Sequence, residues 1–180
     1  KNEGIDDDTS FLNTASSGDI STIFNISNDN SGNVKITPLG NGVSSSLVTY
    51  GHGTGSATVM PGGSTTHAYP EGTYTVTVVS SDIAGKDTTS TYPLTVTYRA
   101  PENLTVAIAQ NVHNAKVKAT ALYAASYLVY FGDVANEVGT PLATNGEVSH
   151  DYATSGYYDV KVVALSGGAA KTEKITNITV

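Results

Sequence analysis

The sequence predicts an all-β chain of two β-sandwiches in tandem, and three observations carry that expectation. A strand-forming stretch occurs twice. His67-Ala68-Tyr69 leads through a short turn with Gly72 into Tyr74, Val76 and Val78, and His150-Asp151-Tyr152 leads through Gly156 into Tyr158, Val160 and Val162. In both copies the apolar side chains recur every second residue, with Thr73, Thr75 and Thr77 on the opposite face of the first. The rest of the chain follows the same duplication. Val34-Lys35-Ile36-Thr37 matches Val117-Lys118-Ala119-Thr120 at a shift of 83, Leu47-Val48 matches Leu128-Val129 at 81, and Leu94-Thr95-Val96 matches Ile178-Thr179-Val180 at 84. Shifts that change only across loops are what a duplicated domain produces. The third observation is composition: Val and Thr are plentiful, Gly stands at 18, and no helical-period run emerges, which describes short strands joined by turns.

Taken in order, residues 1–10 are expected to form an acidic flexible tail, with Glu3, Asp6, Asp7 and Asp8 around a lone Ile5. Residues 11–99 form the first sandwich, with strands expected at Ile20–Ile26, Asn33–Pro38, Ser46–Tyr50, Ser56–Met60, Thr65–Tyr69, Gly72–Ser80 and Thr89–Tyr98. Turn chemistry separates them at Asn28–Gly32, Gly40-Asn41-Gly42, Pro61-Gly62-Gly63 and Pro70-Glu71-Gly72. Seven short strands at this spacing predict an immunoglobulin-like sandwich. Arg99-Ala100-Pro101-Glu102 reads as a short linker whose Pro restricts the hinge. Residues 100–180 repeat the plan at Asn103–Ala109, Ala115–Ala121, Ser126–Phe131, Glu147–Tyr152, Gly156–Leu165 and Lys171–Val180. By alternation Tyr74 and Tyr158 belong to the buried rows with their valines. A chain opening on Lys1 reads as a processed or trimmed product.

Several function classes lose their chemical basis. Without cysteine there is no disulfide, thiolate metal site or thiol nucleophile. Nine basic residues against 16 acidic ones, a net charge of −7, remove the electrostatic footing for nucleic-acid or anionic-membrane binding. No run approaches the roughly 20 apolar residues of a membrane span.

Tyr127-Leu128-Val129-Tyr130-Phe131-Gly132-Asp133, followed by His150-x-Tyr152 and Gly156-x-Tyr158-x-Val160-x-Val162, resembles the PKD (polycystic kidney disease) domain. That family carries a Phe-Gly-Asp-Gly turn, a His-x-Tyr and a Gly-x-Tyr-x-Val strand. Here Val134 stands in the last Gly place of the second copy, and Tyr50-Gly51-His52-Gly53 replaces the whole turn in the first. The resemblance implies the sandwich fold and a role as spacer or adhesive module. Val129–Glu137 is also similar to PKD domains of Bacteroidetes cell-surface lipoproteins, which often bind or degrade glycans. Lys1–Asp8 resembles the acidic export segment after their lipidated Cys, implying an anchor upstream of Lys1 and an outer-membrane surface location.

The candidate functional residues divide into motif and surface. Phe131, Gly132, Asp133, His67, Tyr69, His150, Tyr152, Gly72, Tyr74, Gly156 and Tyr158 are assigned structural roles. His67 and His150 hold equivalent places, where an imidazole is expected to bond a neighbouring loop backbone, and Asp133 is expected to cap backbone N–H groups in its turn. His52 lies in the Gly51–Gly53 turn and His113 in Asn111–Asn114. No two histidines stand at a metal-ligand spacing, and a calcium site from Asp133 and Glu137 lacks an EF-hand pattern. No nucleophile motif, phosphate loop or paired-acid arrangement is present, so no catalytic residue, cofactor or metal is assigned and an enzyme is not expected. If Val129 and Phe131 point inward, Leu128, Tyr130, Tyr157 and Val163 point outward; Leu128, Tyr130 and Tyr157 are the candidate ligand-binding residues. The preferred function is a monomeric, non-catalytic extracellular spacer holding a distal glycan-binding domain off a Gram-negative surface. The alternatives are a carbohydrate- or protein-binding module in its own right, or accessory domains of a secreted glycoside hydrolase. Partners are accordingly a polysaccharide or an adjacent domain of the same protein.

Overall fold

The computed structural model describes residues 21–180, so the expected tail at 1–10 and the start of the first strand at Ile20 lie outside the described residues. The described residues form 14 strands in four antiparallel sheets and no helix. Two compact units share them, one holding the first seven strands and the other the last seven; the chain passes from one to the other between Val96 and Thr97, and Asn28–Asn30 group with the second.

In the first unit β1 (Ser21–Ile26), β2 (Asn33–Leu39) and β5 (Thr65–Ala68) make a three-stranded sheet in the order β1-β2-β5. Facing it, β3 (Val43–Thr49), β4 (Ser56–Val59), β6 (Gly72–Asp82) and β7 (Asp87–Val96) make a four-stranded sheet in the order β4-β3-β6-β7. The second unit repeats both sheets. β8 (Glu102–Asn111), β9 (Asn114–Leu122) and β12 (Val148–Asp151) pair as β12-β9-β8, while β10 (Ser126–Tyr130), β11 (Thr140–Ala143), β13 (Tyr157–Leu165) and β14 (Lys171–Thr179) pair as β11-β10-β13-β14. Each unit is thus a seven-stranded immunoglobulin-like sandwich.

The alternation read from the sequence sets the core. Val76, Val78, Val160 and Val162 are fully buried, as are Val48 and Val129 on the neighbouring strands and Val34, Ile36 and Val117 on the opposite sheets. A one-residue slip in β6 would exchange this Val row for the Thr row, so burial specifies the register observed between Val48 and Val78. The hairpin ends are duplicated too. Asp82 Oδ1 accepts the N–H groups of Ala84 and Lys86 at 2.9 Å each to close β6–β7, and Ser166, 84 residues on, accepts the Gly168 N–H at 3.1 Å to close β13–β14.

Three expectations require correction. β11 was not foreseen: it offers one buried residue, Leu142, and contains Pro141. Such a strand leaves almost no periodic signal, and Pro is tolerated there because β11 is an edge strand. Tyr74 and Tyr158 are half-buried rather than in the core, because each turns its hydroxyl back to the preceding corner. Val163 is buried despite its outward parity. It lies on the second strand from the sheet edge, paired with Leu128 on β10 and Glu173 on β14, so it is flanked by a strand on each side.

Candidate functional site

Most of the residues singled out by the motifs meet at one corner of each sandwich, where the end of β10 (or β3), the tyrosine following β12 (or β5) and the start of β13 (or β6) converge. In the second unit the His150 ring stacks on Phe131, with centroids 4.5 Å apart and planes at 16°, and its Nε2 lies 2.8 Å from Asp133 Oδ2. Tyr152 packs edge-on to His150 at 4.7 Å, stacks on Tyr158 at 4.2 Å, and donates its hydroxyl proton to the Phe131 carbonyl at 3.0 Å. Tyr158 in turn donates to the Thr154 carbonyl at 2.9 Å. This tyrosine corner ties the start of β13 to the chain four residues upstream.

Glu137 completes the corner from the β10–β11 loop. Its two carboxylate oxygens accept the N–H groups of Phe131 at 2.6 Å and Gly132 at 2.8 Å. The backbone cap expected of Asp133 is therefore made by Glu137, and Asp133 binds the imidazole instead. Likewise His150 bonds a side chain and not the loop backbone. Gly132 is required by space: a Cβ there would lie 2.6 Å from the Asp159 carbonyl oxygen, at φ +77°.

The first unit builds the same corner with different atoms. Tyr50 takes the place of Phe131, and the His67 ring stacks on it at 4.1 Å and 12°. Tyr69 donates to the Tyr50 carbonyl at 3.0 Å, and Tyr74 donates to the Pro70 carbonyl at 3.0 Å. Gly51, at φ +69°, sits against the Thr75 backbone as Gly132 sits against Asp159. Gly72 and Gly156 open the two strands beneath the rings of Tyr74 and Tyr158. At the position of Asp133, however, stands His52, and its Nδ1 lies 3.2 Å from His67 Nε2. Two histidines therefore meet although no ligand-pair spacing relates them in sequence. The internal alignment contained the signal, since the shift of 81 that carries Tyr50 onto Phe131 also carries His52 onto Asp133.

Electrostatics follow from packing. Burial, reinforced by the nearby Tyr50 and Tyr74, pushes the Tyr69 phenol up to about 12. Burial, then Asp133, Glu137 and Tyr158, pushes Tyr152 up to about 12 as well. Both phenols are held as donors, as their bonds to backbone carbonyls require. Burial and, secondarily, the charge of His52 hold His67 below the ordinary imidazole value.

The three candidate binding residues are not gathered into one patch. Leu128 and Tyr130 are half-buried neighbours on the outer face of β10, opposite Val163 and Lys161. Tyr157 is 79% exposed, but it lies four residues along β13 from Lys161, roughly 13 Å away, with Asp159 between them. The Tyr130 ring is partly covered: the Lys161 ammonium sits 4.4 Å from its centroid, and the Gly139 backbone approaches its hydroxyl end so closely that a Cβ would lie 2.8 Å from the ring. A shallow cleft of about 400 Å³ beside it is lined by Tyr130, Asn136, Glu137, Asp159, Lys161 and Ile175. Among the described residues no three His, Asp or Glu side chains converge as a metal-binding group. Asp133 and Glu137 each have donors of their own.

No protein-family model matches the chain, and no curated protein matches it. Solved structures do. A two-domain fibronectin type III segment of chicken tenascin is 12% identical, with 90% of this chain and all of that one covered, at a TM-score of 0.51. The chicken interferon gamma receptor alpha chain is 11% identical, with 92% and 98% covered, at 0.39. Dimeric latent PorU from Porphyromonas gingivalis is 15% identical over 95% of this chain and 21% of that one, at 0.35. The likeness to the tenascin segment is one of fold: this chain is a tandem of immunoglobulin-like, fibronectin type III-like sandwiches.

Proposed function

We propose that the chain is a non-catalytic, PKD-type spacer and presentation module of a bacterial surface protein, holding a neighbouring glycan-binding domain away from the outer membrane. The observation that carries this reading is the duplicated corner. In both copies the histidine, tyrosines and acidic or imidazole partner that the motifs single out are bonded to one another or to their own backbone. Groups engaged in closing a loop serve the rigidity of the module, which is what a spacer needs. Function in such folds resides in grafted sites and not in the sandwich itself. The test is replacement. In the full-length surface protein, exchanging residues 21–180 for an unrelated sandwich pair should leave glycan binding by the neighbouring domain unchanged. Loss of that binding, or glycan cleavage by the purified tandem that falls on substituting any Asp or Glu, overturns the reading.

A second reading, that the tandem itself binds polysaccharide or an adjacent domain, is favoured by the exposed Tyr157 and the cleft beside Tyr130. The Tyr130→Ala, Tyr157→Ala double variant distinguishes the two. Weakened binding by the isolated tandem supports the second reading, and unchanged binding leaves the outer face as plain surface.

A further inference from the structure

The geometry of the first corner points to a function for which the second is not equipped: we infer that His52 and His67 form a two-imidazole site for a divalent transition-metal ion of the nickel, copper or zinc class. The two facing nitrogens, His52 Nδ1 and His67 Nε2, are 3.2 Å apart. Two imidazoles on one ion, with metal–nitrogen bonds of about 2.0–2.1 Å and a near-tetrahedral angle, stand about 3.3 Å apart. The hydrogen-bonded pair thus already has the nitrogen spacing that a chelate needs, and only the ring orientation differs.

His67 is the fixed half of the pair. Its ring is clamped between the Tyr50 face at 4.1 Å and the Tyr69 edge at 4.7 Å, so little rotamer freedom remains to be lost on binding. The other rings at the corner, Tyr50, Tyr69 and Tyr74, have their hydroxyls committed to Thr65 Oγ1, the Tyr50 carbonyl and the Pro70 carbonyl. None of them competes for the imidazole nitrogens.

His52 is the adjustable half. The ring centroids are 5.5 Å apart with planes at 64°, an arrangement in which the nitrogens meet head-on through one shared proton. For both lone pairs to converge on an ion, the His52 ring must turn. The ring is half-buried, with the Tyr69 and Tyr74 rings 5.9 and 5.4 Å from its own, and its turn continues into Gly53, at φ +66° with nothing within 4 Å of where a Cβ would be. The shared proton moves to the other nitrogen of its own ring, which frees both facing lone pairs. Water fills the remaining coordination positions. In the second unit the equivalent partner is Asp133, an oxygen donor. Two nitrogen donors suit nickel, copper and zinc better than one nitrogen and one carboxylate do.

The test uses the tag-free chain and Ni²⁺ as the probe. Isothermal titration at neutral pH should show one ion bound per chain, and imidazole ¹H–¹⁵N spectra should place it on His52 and His67, with His113 and His150 unmoved. His52→Ala and His67→Phe, the latter retaining a ring against Tyr50, should each lower affinity at least tenfold, while His150→Phe should leave it unchanged. Absence of binding at millimolar Ni²⁺ overturns the inference, as does broadening centred on His113 or His150. The spectra of the unaltered chain decide the matter even if a variant fails to fold.

Discussion

The bond from a buried phenol to the carbonyl of the residue just after β10, or just after β3, is made once in each unit, and breaking it in one copy at a time isolates its contribution. Tyr152→Phe keeps the ring, and with it the stack on Tyr158 and the edge contacts to His150 and Phe131. It removes only the hydroxyl that lies 3.0 Å from the Phe131 carbonyl, between two residues that are 3% and 2% exposed. A neutral hydrogen bond contributes about 0.5–1.5 kcal/mol net, and stranding a buried acceptor costs about 1–3 kcal/mol. The second unit should therefore lose about 1–2 kcal/mol, a fall in Tm of roughly 5–12 °C for a unit of this size. Thermal unfolding followed by near-ultraviolet tyrosine circular dichroism, with amide exchange to assign each transition to its unit, measures the effect. Tyr69→Phe should do the same to the first unit through the Tyr50 carbonyl. Losses below about 0.5 kcal/mol in both variants, the level of an ordinary surface change, would refute the argument that these phenols hold their corners closed.

Three further outcomes are expected. Val160→Ala, at a fully buried site, should cost about 1.5–3 kcal/mol in urea unfolding, from two lost methyl groups and an incompletely collapsed cavity; a surface-like effect would mean that the faces of β13 are reversed. Gly132→Ala should cost roughly 2 kcal/mol or more, because the new Cβ meets the Asp159 carbonyl oxygen at positive φ, and Gly51→Ala should do the same at Thr75; a mutant as stable as the parent would show that the turn relaxes freely. The Tyr69 and Tyr152 phenols, raised from 10.0 to about 12, make the folded chain bind more protons than the unfolded one at alkaline pH. Their contribution is fully present below pH 10 and is lost as pH climbs toward 12. Tyrosinate absorbance of the Tyr69→Phe and Tyr152→Phe variants, subtracted from that of the parent, should then show these two phenols ionising only as the chain unfolds, and their ionisation near pH 10 in the folded chain would contradict it.

What was legible in the sequence was what repeats at short period. Tyr74-x-Val76-x-Val78 and Tyr158-x-Val160-x-Val162 declare their strands because a side chain every second residue must face one side of a sheet. The internal shifts of 81 to 84 residues declared two units of one plan, since loops absorb insertions while strands do not. The grouping of His-x-Tyr with Phe-Gly-Asp was visible as a motif, though not what bonded to what.

Tertiary structure alone decided the rest, because the deciding contacts join residues that no period relates. Glu137 caps Phe131 and Gly132 from across its loop, which depends on the path of that loop and not on any local pattern. Leu142 defines β11 by lying against the core, and a single buried residue beside Pro141 announces nothing in one dimension. Pleat parity assigned Val163 to the outer face correctly, but exposure depends on the strands that flank it, at Leu128 and Glu173. Tyr130 likewise has its ring partly covered by Lys161 and Gly139, one from the adjacent strand and one from its own loop. Parity determines which side of a sheet a residue occupies, whereas what covers it there is set by chain segments distant in sequence. The pairing of His52 with His67 shows both halves of this: their places were set by the repeat, and only folding set their nitrogens 3.2 Å apart.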